Sequence, residues 1–262
     1  MKTRTTWLLA AFLLALPQAE AALLEQVVDI PTRPGVTQRL VLIRPEHSTA
    51  AVILFAGGHG GLQISKKGEF GWGKGNFLVR SRQRFAEQNL VVAVIDAPSD
   101  RLSPPYLSGF RQTPEHAADI KALIAWLRQQ THLPVWLIGT SRGTQSAAYV
   151  ATRLSGHDGP DGIVLTSSIL QDSKSRPVTD MSLETVAVPV LVVHHEQDGC
   201  KLCRPEDLPR LLNKLTATPR KELLTFKGGQ DRGDPCEAYA HHGFNGLEPE
   251  VVAKIAAWIR GK

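Results

Sequence analysis

Leu133-Pro-Val-Trp-Leu-Ile-Gly-Thr-Ser-Arg-Gly-Thr-Gln-Ser-Ala-Ala-Tyr149 is the stretch that decides the fold. Val135 to Ile138 is a short apolar run bounded by Pro134 and Gly139, the pattern of a buried strand, and from Ser141 onward the composition turns Ala-rich and helix-forming. Between the two lies Gly139-Thr140-Ser141-Arg142-Gly143. A G-x-S-x-G pentapeptide between strand and helix is the context of a nucleophile elbow, with the serine on a strained turn and glycines allowing strand and helix to approach closely. The Arg142 N–H then falls at a helix start, where unpaired backbone donors and the positive end of the helix dipole can hold an oxyanion.

A serine hydroxyl is a weak nucleophile unless an imidazole takes its proton and a carboxylate orients that imidazole. After an elbow the expected chain order is serine, acid, histidine. Asp198 follows the apolar run Val188 to Val193 and precedes Gly199, which suits a turn carrying the acid; Glu196 and Asp172 are the alternatives. The base is expected in His241-His242-Gly243-Phe244. His242 is favoured because Gly243 permits a tight turn behind it, with His241 second.

Working outward, Glu25 to Ile30 and Gln38 to Ile43 read as an antiparallel pair turned at Pro34-Gly35. Ala51 to Ala56 is a continuous apolar strand running into Gly57-Gly58-His59-Gly60-Gly61. A glycine-rich loop there exposes backbone N–H groups and is the expected source of a second oxyanion donor, from Gly58 or His59. A helix over Phe77 to Glu87, a strand over Leu90 to Ile95 and a helix over Pro114 to Gln130 follow, the last with Thr113 as N-cap and Pro114 at its first position. Strands over Gly162 to Thr166, Val188 to Val193 and Glu222 to Phe226 alternate with helices over Leu208 to Leu215 and Pro249 to Arg260. This alternation predicts an α/β fold with a mainly parallel sheet covered on both faces and its site at the strand carboxyl ends. The connection of about twenty residues before Val188 leaves no room for a large lid domain.

Residues 1–21 differ from the rest: Lys2 and Arg4 precede an apolar run from Trp7 to Leu16, and Ala19-Glu20-Ala21 supplies a small-x-small cleavage site. They read as a signal peptide, with residues 22–262 as one domain in the periplasm or outside the cell, without stable membrane insertion. The net charge of +5 falls to +4 once Lys2, Arg4 and Glu20 are removed. The remaining basic residues are interspersed with acidic ones, so the chain carries no nucleic-acid footprint.

These pieces resemble exported bacterial α/β-hydrolases, distantly similar to dienelactone-hydrolase-like enzymes. The matching segments are Leu54 to Gly60, Asn76 to Arg80, Pro98 to Arg101, Gly139 to Gly143, His194-His195 with Asp198 and Cys200, and Pro235-Cys236 with His242 to Phe244. The resemblance implies the α/β-hydrolase fold and supports Ser141, Asp198 and His242 as a triad. It implies no substrate.

Cys200, Cys203 and Cys236 are the three cysteines, and an exported chain predicts one disulfide. Joining Cys200 to Cys236 would tie the acid loop to the base loop and leave Cys203 free. The competing reading makes Cys200-Lys201-Leu202-Cys203 a redox or half-zinc motif, completed for a metal by His194, His195 or His241. Arg80, Arg101 and Arg111 fall near the predicted catalytic edge as candidates for gripping a carboxylate or phosphate on the substrate. Together the residues predict a serine hydrolase acting on a small ester-like molecule without a cofactor. A non-catalytic binding protein on the same fold is the rival, and the sequence is silent on oligomeric state.

Overall fold

In the computed structural model, residues 23–261 are described, and the segment read as a signal peptide lies outside them. The strands are β1 (Glu25–Arg33), β2 (Val36–Ile43), β3 (Ala50–Phe55), β4 (Leu90–Pro98), β5 (Val135–Thr140), β6 (Gly162–Thr166), β7 (Val190–His195) and β8 (Lys221–Phe226). They build one sheet in the order β1-β2-β4-β3-β5-β6-β7-β8. The pairings of β2 with β1 and with β4 are antiparallel and all the others are parallel, so β2 alone runs against the sheet.

The helices are α1 (Phe77–Arg80), α2 (Arg82–Glu87), α3 (Pro114–Thr131), α4 (Gly143–Arg153), α5 (Leu208–Lys214) and α6 (Glu248–Ile259). Alternate residues of each strand sort them onto two faces. Ala51, Ile53 and Phe55 of β3 point into one core with Ile120, Leu123 and Leu127 of α3, the alanines of α4, and Leu208 and Leu211 of α5. Val52 and Leu54 point into the other, with Phe77 to Val79 of α1, Phe85 of α2, and Val252, Ile255 and Trp258 of α6. Burial on both faces explains why the central strands read as unbroken apolar runs.

Local chemistry sets the ends. The Thr113 side chain accepts from the His116 N–H, Pro114 opens α3, and His132 closes it in the left-handed region at φ 57°. The expected helix over Phe77 to Glu87 is two helices, because the chain breaks at Ser81, whose N–H turns back to the Phe77 and Val79 carbonyls. β4 runs three residues beyond the expected end at Ile95, since Pro98 pairs with Gln38 across an irregularity in the β2 ladder.

From β3 the chain crosses to β4 on one side and then to β5 on the other. That reversal opens a crevice beyond the carboxyl ends of β3 and β5. Between β6 and β7 there are only two short turns of 3-10 helix, Val178–Asp180 and Leu183–Thr185, so no lid is inserted among the described residues.

Candidate active site

β5 ends at Thr140 and α4 begins at Gly143, so Ser141 and Arg142 make the whole turn. Ser141 sits at φ 51°, in the left-handed region, a strain of about 1–3 kcal/mol that the surroundings must hold. Its N–H donates to the Thr166 carbonyl at 3.0 Å, and its own carbonyl accepts from the Thr144 N–H at 2.9 Å and the Thr144 hydroxyl at 2.6 Å. The flanking glycines leave room for this turn. A Cβ on Gly139 would lie 2.4 Å from the Gly143 carbonyl oxygen, and one on Gly143 would lie 2.0 Å from that of Phe55.

His242 belongs to a turn of 3-10 helix at His241–Gly243, anchored by the Ser167 hydroxyl, which donates to the His242 carbonyl at 2.7 Å. Its Nδ1 is 2.9 Å from Asp198 Oδ2. Asp198, in the loop after β7, is buried, and its Oδ1 accepts from the Cys200 N–H at 2.9 Å. A carboxylate can only accept, so Nδ1 carries the proton and Nε2 keeps the free lone pair. His242 Nε2 is buried and has no hydrogen-bond partner among the described residues. Ser141 and His242 line the same cavity of about 420 Å³, but the serine hydroxyl does not bond to the imidazole in this conformation. Nucleophile–base hydrogen bonds often close only around substrate.

The alternatives are occupied elsewhere. Glu196 pairs with Lys227 at 3.1 Å, Asp172 with Arg142 at 2.7 Å, and the His241 ring stacks on His195 at 4.2 Å. His194, which the sequence offered only as a candidate metal ligand, lies beside the acid instead, with its Nε2 2.7 Å from the Cys203 carbonyl and 3.5 Å from Asp198 Oδ2. Burial pushes its pKa below the ordinary histidine value, so it flanks the carboxylate as a neutral ring.

The glycine-rich loop presses on the serine: a Cβ on Gly57 would be 3.0 Å from Ser141 Cβ. Neither the Gly58 nor the Arg142 N–H donates a hydrogen bond within the described chain. Both Gly57 and Gly58 line the serine cavity. His59 is not among the lining residues. Its ring is held between Trp72 at 3.8 Å and Tyr106 at 4.4 Å, and its Nδ1 accepts from the Gly61 N–H. The loop continues into three amides, of Leu62, Gln63 and Ile64, that donate to the buried Asp96 carboxylate at 2.7–3.1 Å. Asn76 completes the cavity wall, accepting from the Leu78 N–H through Oδ1 and bringing its amide nitrogen within 3.3 Å of where a Gly57 Cβ would stand.

The three candidate arginines separate. Arg80 is tied to Glu248 Oε1 at 2.9 Å and to the carbonyls of Gly75, Ala238 and Gly243, which makes it a brace behind the histidine loop. Arg101 is exposed and lies over the Phe110 ring at 4.9 Å. Arg111 is buried beneath the glycine loop, donating to the carbonyls of Ala56 (2.9 Å) and Gly58 (3.3 Å) and to the Ser146 hydroxyl (2.9 Å).

A disulfide joins Cys200 to Cys236, with their Cα atoms 4.5 Å apart. Cys203 is free and fully buried, and burial pushes its thiol well above the ordinary cysteine range. Ligand atoms of Cys200, Cys203 and His242 all lie within 4.8 Å of one another. With the Cys200 sulfur in a disulfide and Cys203 held as a thiol, that trio lacks the thiolates a soft metal ion requires.

No family model matches the chain, and no curated protein sequence matches it. Its backbone is similar to that of solved structures. Dienelactone hydrolase from Anabaena variabilis superposes with a TM-score of 0.63 at 13% identity, covering 92% of this chain and 99% of that one. An esterase from Pyrococcus furiosus gives 0.65 at 12% identity with 91% of each chain covered. A serine hydrolase without lid from Xanthomonas campestris gives 0.55 at 15% identity, covering 88% of this chain and 94% of that one. At these identities the likeness establishes one thing, the α/β-hydrolase fold.

Proposed function

We propose that the protein is a serine hydrolase cleaving an ester, in preference to the thioester and amide readings of the same site. The observation that carries this reading is the buried His242 Nε2, free of any partner among the described residues. It shares a cavity with Ser141, while Nδ1 is fixed on Asp198. Ser141 attacks the acyl carbon, and His242 takes its proton at Nε2. Asp198 holds the imidazolium that forms. The Arg142 and Gly58 N–H groups stabilise the oxyanion, with His59 acting through its packing on the loop rather than by direct contact. Collapse of the tetrahedral intermediate returns the proton to the leaving alkoxide, and water, activated by the same histidine, releases the acid. The hydrolase and esterase names of the structural neighbours agree with this chemistry.

The Cys200–Cys236 bridge favours an oxidising compartment, in keeping with export by the segment read as a signal peptide. Among the described residues, no helix is long and apolar enough to cross a membrane.

An alkyl fluorophosphonate tests the reading. Native protein is expected to be labelled at Ser141, and Ser141→Ala is expected to lose both labelling and about 10³-fold or more of its turnover on simple esters. Native, oxidised protein that neither labels nor turns over would transfer the case to a non-catalytic binding protein on this fold.

A further inference from the structure

A second cavity, of about 290 Å³, adjoins the serine cavity, and Gly58 lines both. Arg111, Arg142, Lys174 and Arg176 line it, and no carboxylate among the described residues does. Of these cations only Arg142 has a carboxylate partner among the described residues, Asp172 at 2.7 Å. Arg111, Lys174 and Arg176 have no acidic partner within 4.0 Å among the described residues, so the cavity wall carries a local excess of three positive charges (four cations less one carboxylate).

The wall joins one buried cation, Arg111, to the exposed Lys174 and Arg176 and the half-buried Arg142. Arg111 is only 4% exposed, and its three acceptors, Ser146 Oγ and the carbonyls of Ala56 and Gly58, are all neutral. Its Nε donates no hydrogen bond to the described chain. Burying a guanidinium without a counter-charge is costly, and the cost falls when an anion arrives. Burial and the neighbouring Arg142 lower its pKa to about 9, still cationic at neutral pH. Arg176 is likewise positioned: its Nε donates to Gln112 Oε1 at 2.8 Å, while the Gln112 and Gln145 amides donate to its carbonyl. Both terminal nitrogens of Arg176 are left uncommitted, and Ser108 and Ser175 add hydroxyl groups to the wall.

We infer that this cavity is the subsite for a carboxylate at the far end of the acyl chain, so that the preferred substrate is the monoester of a short dicarboxylic acid. The inference rests on the ester-hydrolase reading and names its substrate class. The scissile carbonyl sits at Ser141, the acyl chain passes Gly58, and the terminal carboxylate is received by Arg111, Arg142 and Arg176. Because Arg142 also follows the nucleophile, an anion bound there fixes the acyl group relative to the oxyanion donors.

The test compares monomethyl glutarate with methyl pentanoate at low ionic strength, following acid release by titration, in native protein and in the Lys174→Glu/Arg176→Glu double variant. Both altered residues are exposed, so folding is spared. Native protein is expected to favour the acidic ester at least tenfold in kcat/KM, and charge reversal is expected to lower that ratio at least tenfold. A native ratio near one, or a preference unmoved by charge reversal, overturns the subsite while leaving the hydrolase standing. If neither ester is turned over, fluorophosphonate labelling of Ser141 decides the hydrolase reading, and calorimetric titration with glutarate decides the subsite by itself. Binding by native protein that the double variant loses upholds the subsite, and no binding overturns it.

Discussion

His116 is the residue whose environment is least forgiving. It is 1% exposed, packed edge-on against Phe55 and Phe110, and neither ring nitrogen has a partner among the described residues. Burial, reinforced by the Arg111 and Arg33 cations, lowers its pKa to about 3 from an ordinary 6.5. Below pH 6.5 the unfolded chain takes up a proton here that the folded chain refuses. Stability therefore falls with decreasing pH, by about 1.4 kcal/mol per unit, until the folded-state pKa is reached. Between pH 6.5 and 4.5 this group is expected to cost about 2 kcal/mol, since the unfolded histidine is already half protonated at pH 6.5, and His116→Leu is expected to remove that slope in urea titrations at the two pH values. Histidines that stay in the variant cancel from the difference, so identical slopes would show His116 titrating freely in the native state. At this scale the sequence was legible where chemistry repeats a short pattern, as at Ser141, and silent where a contact is made only by the folded chain. Nothing in Ala-Val-Ile-Asp96-Ala announces a carboxylate that three amides of a loop more than thirty residues upstream converge on.

Among the elements, the four-residue α1 does more than its length suggests. Its last residue, Arg80, reaches the Ala238 and Gly243 carbonyls on either side of His242, the Gly75 carbonyl, and Glu248 at the start of α6. Arg80→Met leaves the Glu248 carboxylate and those carbonyls unpaired, and is expected to lower stability by about 2–4 kcal/mol. It is also expected to lower kcat about tenfold or more with little change in KM, because the imidazole rather than the substrate loses its support. Arg80→Lys, which keeps the charge but not the planar fork, should recover only part of either loss. A purely structural brace would show the loss of stability without the change in kcat. Caps and apolar runs made most elements readable, α3 above all. The break at Ser81 was not readable, since it comes from docking α1 under the histidine loop and no glycine or proline marks it. The extension of β4 to Pro98 was hidden likewise, because its cause is a pairing with Gln38 rather than a local preference.

For the whole molecule, the two apolar layers on the sheet were foreseeable from unbroken apolar strands, whereas the loops that converge beyond its carboxyl edge come from residues far apart in sequence. The Cys200–Cys236 bond closes a loop of sequence separation 36 between the Asp198 and His242 turns, a constraint worth about 4 kcal/mol in the chain-entropy account. The third cysteine gives that bond a history. In an unfolded chain Cys200 meets Cys203, three residues away, far more often than it meets Cys236, because closure of a short loop is entropically easier. Oxidation that runs ahead of folding therefore closes the wrong ring first. Reaching the native pairing then requires the Cys236 thiolate to attack the Cys200 sulfur and expel the Cys203 thiolate. Folding makes the exchange one-way, because Cys203 ends fully buried with its thiol held protonated, within 4.8 Å of the Cys200 sulfur but unable to attack it. Cys203→Ser is accordingly expected to speed oxidative refolding and raise its yield, followed by thiol trapping and mass spectrometry, and a native chain that never accumulates the Cys200–Cys203 ring would refute the detour. The order in which the chain meets oxidant and completes its sheet thus governs how much protein is recovered with the Cys200–Cys236 bond.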